Sequence, residues 1–378
     1  MITLRIVVDS MADTRAQAVG RYTEELTRAI IATAPRGCEV EGIVSATSEI
    51  EQNRIRARLP GLVGLHVTPL ARRELRTAWQ HTITTGQVGG MIHSPDLLAP
   101  LRKHDRSDTP GQQTVVTIHD ALPWLYPSSV GARGAWMRQM TKRALKYADA
   151  IVVPTHAVAS DLTERLKVSN RLRVIGGAAN SALTLPDNEE EIAARLKLPS
   201  AYLLAVTSLD PRKGLRALLT AATRPEYPGL PLVIVGARDV RGGTFDALRD
   251  EVGLDSRLIQ SFPAPSDSEL AVIVSRATAM VQPSLYEGSA SIELEALQHG
   301  VPVIHSDVPA LVELLDGAGV IVERAPEKEY ADRLAAAISA TLANSALMQK
   351  LTIVGEDRAR AFSWRDSAEK VWNLHADL

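Results

Sequence analysis

MVQPSLYEGSASIELEALQHGVPV, residues Met280 to Val303, passes from a strand through a loop of small residues into a helix. An apolar run at its start predicts the strand, and the small residues run from Gly288 to Ser291. The helical pattern that follows ends at Gly300. Because the first amides of a helix have no partner within it, a strand end, small side chains and a helix start favour a phosphate site.

Two glutamates flank the small residues, Glu287 in the loop and Glu295 two turns later on the helix. Carboxylates are poor ligands for phosphate, but they are good acceptors for the hydroxyl groups of a sugar. The arrangement therefore indicates a ligand that is part phosphate and part sugar. The alternative is that both glutamates lie on a solvated helix face and that Gly288 is simply a turn residue.

The composition is that of a globular chain without an obvious nucleic-acid partner. Its 378 residues predict two domains, and 45% are hydrophobic and 23% charged, with a net charge of −2. The single cysteine, Cys38, excludes an internal disulfide and indicates a reducing compartment. Charges within the opening MITLRIVVDS indicate a strand rather than a signal peptide, and no apolar run approaches the ~20 residues of a membrane span. We expect a cytoplasmic protein.

Apolar, β-branched segments alternate with amphipathic helical segments along most of the chain. This alternation predicts doubly wound domains, whose ligands bind at the carboxyl ends of the strands. It is broken at residues 180–188, which predicts a linker between two domains. The predicted strands are residues 4–9, 40–44, 65–68, 91–93, 114–118, 150–154, 171–175, 202–206, 232–236, 258–262, 279–281 and 319–322.

Three segments place polar or small residues directly after predicted strands. A loop after the first strand ends in residues 18–22, which include Gly20, and a helix is expected from Tyr22 to about Ala32. His119 follows a buried strand. Arg212 and Lys213 follow a strand and precede a helix, a position from which cations can clamp a diphosphate leaving group. Each segment has an alternative explanation. Gly20 can be part of a plain turn, His119 can be bonded to a loop carbonyl, and Arg212-Lys213 can be a surface pair.

These motifs resemble those of the retaining glycosyltransferases of the two-domain GT-B type, in the glycogen-synthase-like and bacterial mannosyltransferase branch (family 4 type). The resemblance implies an α/β fold in which two Rossmann-like doubly wound domains face each other across a cleft. It implies an acceptor-side domain at 1–182, a donor-side domain at 183–361 and a C-terminal helix at 362–378 that crosses back to the first domain. The similar segments are PSLYEG with LEAL, TSLDPRKG, TIHDALPWLYP, SFPAPSDSEL, GRYTEEL and FSWRDSAEKVWNL.

The resemblance also implies a role for each site residue. Glu287 would face the transferred sugar, and Glu295 would hold the nucleotide ribose. His119 would contact the donor sugar, and Arg212 and Lys213 would neutralise the departing diphosphate. The further donor-binding residues that it implies are Gly20, Ser208, Phe262, Gly288, Ser289, Ala290 and Ser291.

Two departures from the family pattern concern the donor. Ser208 stands where many members carry an additional arginine, and the chain reads Ser289-Ala290-Ser291-Ile292 where most relatives read FGLP. Backbone contacts to phosphate and sugar can therefore differ, which affects the identity of the sugar more than the type of reaction.

The resemblance implies a retaining transferase that moves a hexose from a nucleotide-diphosphate sugar to a glycan, lipid-linked or small-molecule acceptor. GDP-mannose is the expected donor, and UDP-glucose or a related UDP-sugar is the alternative. We expect no metal and no cofactor, because the protein's own cations would neutralise the leaving group. Two other classes stay open, a nucleotide-sugar epimerase or other non-transferase enzyme of this fold and a non-enzymatic sugar-binding protein.

A helix expected from Gly134 to Tyr147 carries a basic stripe formed by Arg138, Lys142 and Lys146. Such a stripe is more often a solvated face. The alternative is weak association with anionic lipid or with a phosphate-bearing acceptor, which would place the protein peripherally at the inner face of a membrane.

Overall fold

A computed structural model of the chain describes residues 1–13, 17–83, 89–104, 111–168, 170–237, 243–289 and 291–378. These residues form two compact units. The first unit is Met1–Gly177 together with Ser363–Leu378, and the second unit is Ala178–Phe362.

The described part of the first unit is built on a parallel sheet of seven strands, in the order β3-β2-β1-β4-β5-β6-β7. Its elements before the second unit are β1 (Ile2–Val7), α1 (Gln17–Ala32), β2 (Cys38–Ala46), α2 (Glu49–Arg58), β3 (Gly64–Ala71), α3 (Arg72–Gln80), β4 (Met91–Ser94), β5 (Gln113–Thr117), α4 (Leu122–Leu125), α5 (Pro127–Val130), α6 (Arg133–Tyr147), β6 (Ala150–Val153), α7 (His156–Arg165) and β7 (Leu172–Val174).

The second unit has a parallel sheet of six strands over its described residues, in the order β10-β9-β8-β11-β12-β13. The remaining elements are α8 (Glu189–Leu196), β8 (Leu203–Val206), α9 (Leu215–Ala221), β9 (Leu232–Val235), α10 (Phe245–Val252), β10 (Ile259–Phe262), α11 (Asp267–Ser275), β11 (Ala279–Gln282), α12 (Ser291–Gln298), β12 (Val303–Ser306), α13 (Pro309–Leu315), β13 (Gly319–Val322), α14 (Tyr330–Ala343), α15 (Ser345–Arg360) and α16 (Trp364–Ala376).

Both sheets reverse their strand order at one place, between β1 and β4 in the first unit and between β8 and β11 in the second. Connections leave opposite faces of the sheet at such a point, which opens a crevice at the carboxyl ends of the two strands. The predicted fold class, α/β with two Rossmann-like doubly wound domains, is confirmed. The crevice of the second sheet is formed by the loop before α9 and the loop before α12.

The start of α1 differs from the sequence prediction. The prediction of a loop that contains Gly20 and of a helix that begins at Tyr22 was wrong, since α1 already begins at Gln17 and contains Gly20. The glycine is needed for packing, because an ideal Cβ there would lie 2.9 Å from the carbonyl oxygen of Ser10. Ser10 belongs to the 3-10 turn Asp9–Ala12, so Gly20 lets the helix approach that turn closely.

The C-terminal helix α16 belongs to the first unit and packs against α1. The indole nitrogen of Trp372 donates to the carbonyl of Ile30 at 3.0 Å, and the Ser367 hydroxyl donates to the carbonyl of Gly176 at 2.7 Å. Val371 is fully buried in the same apolar cluster as Leu26. The core of the first unit is therefore made from both ends of this sequence.

The boundary between the units lies at Gly177, before the expected residue 182. The predicted linker, residues 180–188, falls in the second unit and leads into α8. The three glutamates Glu189 to Glu191 form the first turn of that helix, where negative charge interacts favourably with the helix dipole.

Two buried histidines join α16 to the sheet. His375 Nε2 lies 3.4 Å from Nδ1 of His93, in β4, and the side-chain amide of Gln113 donates to the His375 carbonyl at 2.7 Å. Burial lowers the pKa of His93 to about 3. Burial, and then the neighbouring His93, lower the pKa of His375 well below its usual value. Both rings are therefore neutral in the folded protein near neutral pH.

Stability should accordingly fall in acid. The unfolded chain takes up protons at these histidines near pH 6.5 and the folded chain does not, so the free energy of unfolding decreases as the pH falls from about 6.5 towards 3. Urea unfolding followed by circular dichroism between pH 7 and 4.5 should show a shallower decrease for His93→Gln than for the wild type. The exposed His66 provides the control, since His66→Gln should leave the slope unchanged. Equal slopes for wild type and His93→Gln would contradict a neutral buried base.

Candidate active site

The loops that follow β8 and β11 lie side by side because the two strands pair in the sheet. The first loop carries Ser208 and the 3-10 turn Pro211–Lys213, and the second carries residues 283–289. This is the place where the strand order of the second sheet reverses. The two predicted cations and the first predicted glutamate are thus brought to one end of one sheet.

A backbone contact joins the two loops. The amide of Leu285 donates to the carbonyl of Arg212 at 2.6 Å. Gly214 has φ +67°, a left-handed conformation, and an ideal Cβ there would overlap the carbonyl oxygen of Pro283. A side chain at Gly214 would therefore separate the loops, so the glycine is required by close approach as well as by its backbone angle.

Arg212 is oriented by the residue that caps its own turn. A carboxylate oxygen of Asp210 accepts from the Arg212 amide at 3.1 Å, and the other lies 3.0 Å from its Nε. On the opposite loop, Arg212 Nη1 lies 3.4 Å from the carbonyl of Tyr286 and 3.8 Å from a carboxylate oxygen of Glu287. The guanidinium group is thus held across the junction of the two loops.

Glu287 is the acceptor at the centre of this cluster, with 8% of its surface exposed. Its Oε1 accepts from Lys213 Nζ at 2.6 Å, from the hydroxyl of Ser284 at 2.6 Å and from the side-chain amide of Gln282 at 3.3 Å. The Ser306 hydroxyl, from β12, donates to the carbonyl of Ser284 at 2.6 Å and fixes the loop from a third strand. Glu287 and Lys213 therefore form a partly buried ion pair whose carboxylate is also held by hydrogen bonds from Ser284 and Gln282.

Glu295 lies in α12 and is 4% exposed. Its Oε1 accepts from the backbone amide of Asn180 at 3.2 Å, so the carboxylate connects α12 to the segment that precedes α8. Neither Glu287 nor Glu295 lies on a solvated helix face, which removes that explanation of their spacing.

A third glutamate, Glu293, was not predicted from the sequence. It is 1% exposed, and its Oε1 has no hydrogen-bond partner among the residues that the structure describes. Burial and then the charge of Glu287 raise its pKa to about 8, against the opposing charge of Lys213. The available signal was spacing, since Glu293 stands three and four residues before the apolar Ala296 and Leu297 and so shares their helix face.

The other predicted donor-binding residues of the second unit have different surroundings. Gly288 is half-buried and Ser289 and Ser291 are exposed, whereas Ala290 lies outside the described residues. The Ser208 hydroxyl accepts from the Asp210 amide at 3.3 Å. Phe262 is half-buried at the end of β10, which β9 separates from β8. The described residues of this set therefore do not all lie in the Arg212–Glu287 cluster, because Phe262 is two strands away from β8.

The first unit contains two of the predicted site residues: His119 follows β5, and Gly20 lies in α1. His119 Nε2 lies 2.7 Å from the carbonyl of Pro95, and the ring meets Tyr22 edge-on with centroids 4.7 Å apart. Because a carbonyl can only accept, Nε2 carries a proton, and Nδ1 of the neutral ring is then an acceptor. The loop carbonyl that the alternative explanation required is present, and it fixes the tautomer of the neutral ring. Gly20 lies within α1 against Ser10, as described above.

The described ranges also bear on metal binding and on membrane crossing. No group of three histidine, cysteine, aspartate or glutamate side chains within them is arranged to hold a metal ion. Of the helices they contain, none combines the length and the apolar character needed to cross a membrane.

The chain matches two family models that follow each other along its length. Residues 19–181 match Glycosyltransferase Family 4, and residues 186–363 match Glycosyl transferases group 1. Each match falls almost wholly within one of the two units.

Curated relatives and solved structures agree with these matches. The chain is 26% identical over 301 residues to the O-antigen chain mannosyltransferase B of Escherichia coli, covering 75% of this chain and 74% of the relative. It is 27% identical over 391 residues to the D-inositol 3-phosphate glycosyltransferase of a Nocardioides species, covering 95% and 81%. HepE of Anabaena, solved with UDP-glucose, superposes with a TM-score of 0.70 at 15% identity, covering 100% of both chains.

Fold and matches together define a glycosyltransferase with the GT-B fold. The chain belongs to the family 4 type of these enzymes.

The contact at Gly214 can be tested with a matched pair of glycines. Gly253, after α10, has φ +71° and nothing within 4 Å of an ideal Cβ. Gly253→Ala should lower the free energy of unfolding by about 1–2 kcal/mol, the cost of the left-handed backbone alone. Gly214→Ala should lower it by at least ~2 kcal/mol more, because the new methyl group also overlaps the Pro283 carbonyl. Urea unfolding measures both, and equal losses would show that the loops are not in close contact.

Proposed function

We propose that the protein is a retaining hexosyltransferase that uses a nucleotide-diphosphate sugar and transfers the hexose to a glycan, lipid-linked or small-molecule acceptor. The observation that carries the proposal is the hydrogen-bonded cluster of Arg212, Lys213 and Glu287 at the strand-order reversal of the second sheet. It combines cations for a diphosphate with an acceptor for sugar hydroxyls at one place.

Arg212 and Lys213 would bind the diphosphate. The ammonium group of Lys213 has three donors, and the bond to Glu287 uses one of them, which leaves donors that can turn to phosphate oxygens. Arg212 is partly exposed and already oriented by Asp210. Charges held in place before the reaction stabilise a leaving group without reorganisation at the moment of bond breaking.

The chemistry we propose takes place on one face of the sugar. The bond from the anomeric carbon to the diphosphate oxygen breaks, and the diphosphate leaves with the electron pair. The acceptor hydroxyl forms its new bond on the same face, and its proton passes to an oxygen of the departing diphosphate. Glu287 would orient the sugar through its hydroxyls, since an oxygen that accepts from three donors is a weak nucleophile.

The nucleoside would lie further along the second unit. Glu295 would accept from the ribose hydroxyls while it keeps its bond to the Asn180 amide. Phe262 would line the base, and the backbone from Gly288 to Ser291 would approach the phosphates. In the first unit, Nδ1 of His119 would accept from a hydroxyl of the donor sugar, and α1 would approach the donor at Gly20.

The donor is a finer question. The similarity to a mannosyltransferase of Escherichia coli supports GDP-mannose, as does the resemblance of TSLDPRKG and PSLYEG to that branch. The similarity of fold to HepE, whose structure contains UDP-glucose, supports a UDP-sugar as the alternative. We favour GDP-mannose on the similarity in sequence. Because the motif after Glu287 departs from the family pattern, UDP-glucose is kept as the competing donor in each assay.

Membrane recruitment by the basic stripe is a weaker proposal. Arg138 donates to the carbonyl of Pro123 at 3.0 Å, so its guanidinium group is already engaged, whereas Lys142 and Lys146 are exposed. Two cations at about 1 kcal/mol each could give only weak, salt-sensitive association with an anionic surface. We therefore favour a solvated face for α6.

The diphosphate clamp predicts a large loss of turnover in Arg212→Ala and in Lys213→Ala. Each variant should lower kcat for release of GDP from GDP-mannose by about 100-fold or more, a few kcal/mol in the barrier, because each removes charge that acts on the leaving group. The free energy of unfolding should fall by only about 1 kcal/mol, since Glu287 keeps its bonds to Ser284 and Gln282.

Arg216 provides the matched control. It lies in α9, four residues after Arg212, and pairs with Glu251 on the surface, where its side chain is 57% exposed. Arg216→Ala should leave turnover unchanged. Near-normal turnover in both clamp variants, with GDP-mannose and with UDP-glucose, would refute the clamp.

Glu295→Gln tests the ribose contact. The amide oxygen of glutamine can still accept from Asn180, so folding should be retained, but the charge that attracts two hydroxyls is lost. We expect GDP to bind about tenfold more weakly to the variant, in calorimetry, and 2′,3′-dideoxy-GDP to bind equally to variant and wild type. If the variant weakens both nucleotides alike, Glu295 does not contact the ribose.

A further inference from the structure

Glu293 is a buried carboxyl group that the proposed chemistry does not use. It lies in the first turns of α12, six residues after Glu287, and is 1% exposed. Its Oε1 lacks a hydrogen-bond partner among the described residues. A buried polar atom in this condition is costly, so its presence on the helix that follows the Glu287 loop calls for an explanation.

The charges that act on Glu293 come from the site itself. They are Glu287, on the loop after β11, and Lys213, on the turn after β8. Within α12, Glu295 is directed to the Asn180 amide.

Three other elements packed against α12 each carry an ionisable group with a contact of its own. On β12, the ring of His305 lies against Gly319. On α15, Glu356 lies against Gly300, beyond the end of α12. In α11, Glu269 caps its own helix through Ser266. Among the described residues, the charged groups that shift the pKa of Glu293 are Glu287 and Lys213.

A count of charge shows why this coupling matters for an anionic ligand. Arg212 and Lys213 are balanced by Asp210 and Glu287, so the cluster is neutral when Glu293 is neutral. An ionised Glu293 would give the cluster a net charge of −1, in a buried place where water screens poorly. It would also compete for Lys213, the cation that we assign to the diphosphate.

We propose that Glu293 is a positioning residue that governs donor binding through its proton: the second unit binds a nucleoside diphosphate when Glu293 is a neutral carboxylic acid and loses it when Glu293 is ionised. The proposal rests on the proposed function, since it takes Arg212 and Lys213 as the diphosphate site. Glu293 acts through Lys213 and Glu287, so no contact with the donor is required.

The elevated pKa, about 8, supports this role because the group is mostly protonated at pH 7 and mostly ionised at pH 9. If only the protonated form binds, affinity at pH 9 should be about tenfold weaker than at pH 7. Binding should also draw a proton onto the protein, about half a proton per nucleotide at pH 8. The free energy of unfolding should also decrease as the pH rises from about 4.5 through 8, because the folded protein keeps the Glu293 proton that the unfolded chain has already released.

Calorimetry with GDP and with UDP, each at pH 7, 8 and 9, tests the proposal. Titrations at pH 8 in two buffers of different ionisation enthalpy give the number of protons taken up. Wild type should show the tenfold loss and the proton uptake. Glu293→Gln, a neutral group of the same shape, should bind equally at pH 7 and pH 9 without proton uptake. The exposed Glu251 gives the control, since Glu251→Gln should behave as wild type.

The outcomes separate this inference from the proposed function. If neither nucleotide binds to the wild type at pH 7, the proposed donor site itself is wrong. If a nucleotide binds but wild type shows no proton uptake at pH 8, or Glu293→Gln retains the alkaline loss, the role of Glu293 is wrong. Should Glu293→Gln fold poorly, Glu293→Leu replaces it and should likewise bind equally at pH 7 and pH 9. Proton uptake by the wild type at pH 8 tests the role of Glu293 without any variant.

Discussion

The hydrogen bond from the Leu285 amide to the Arg212 carbonyl is the contact on which the proposed site depends. Pairing of β8 with β11 brings two loops near each other, but it does not set how they meet. The absent side chain of Gly214 allows the loops to touch, and the bond then fixes their register. A cation on one loop and Glu287 on the other become a single rigid group, which pre-organised electrostatic stabilisation requires.

The electrostatic state of that group follows from its burial. Glu287 accepts from three donors, whereas Glu293, six residues away, is buried without such a set among the described residues, and burial raises its pKa to about 8. Two carboxyl groups close in sequence thus differ because Glu293 is buried without a donor to its Oε1 in the part of the chain that the structure describes, and burial is the main cause of its raised pKa. An enzyme that must attract a diphosphate can in this way place acidic side chains beside its cations without cancelling them.

The sequence predicted the strands well because buried parallel strands are continuous apolar runs bounded by polar loops. It also placed Arg212, Lys213 and Glu287 after strands whose ends prove to be adjacent. It failed where packing overrides local pattern. Gly20 looks like a loop residue but serves a close approach inside α1. Glu293 is a charged residue type that is mostly found at surfaces, but it is 1% exposed. Its spacing to Ala296 and Leu297 places it on their helix face, but that spacing does not report which residues pack against the face.

The position of α16 has a consequence for how the protein forms during synthesis. Residues 363–378 supply Val371 and Trp372 to the apolar interior beneath α1, although 185 residues of the second unit are made before them. A nascent chain that has completed β7 therefore still exposes part of an unfilled interior. The second unit contains all of its own segments earlier and can become compact first, so the part of the chain translated first is the last to be finished.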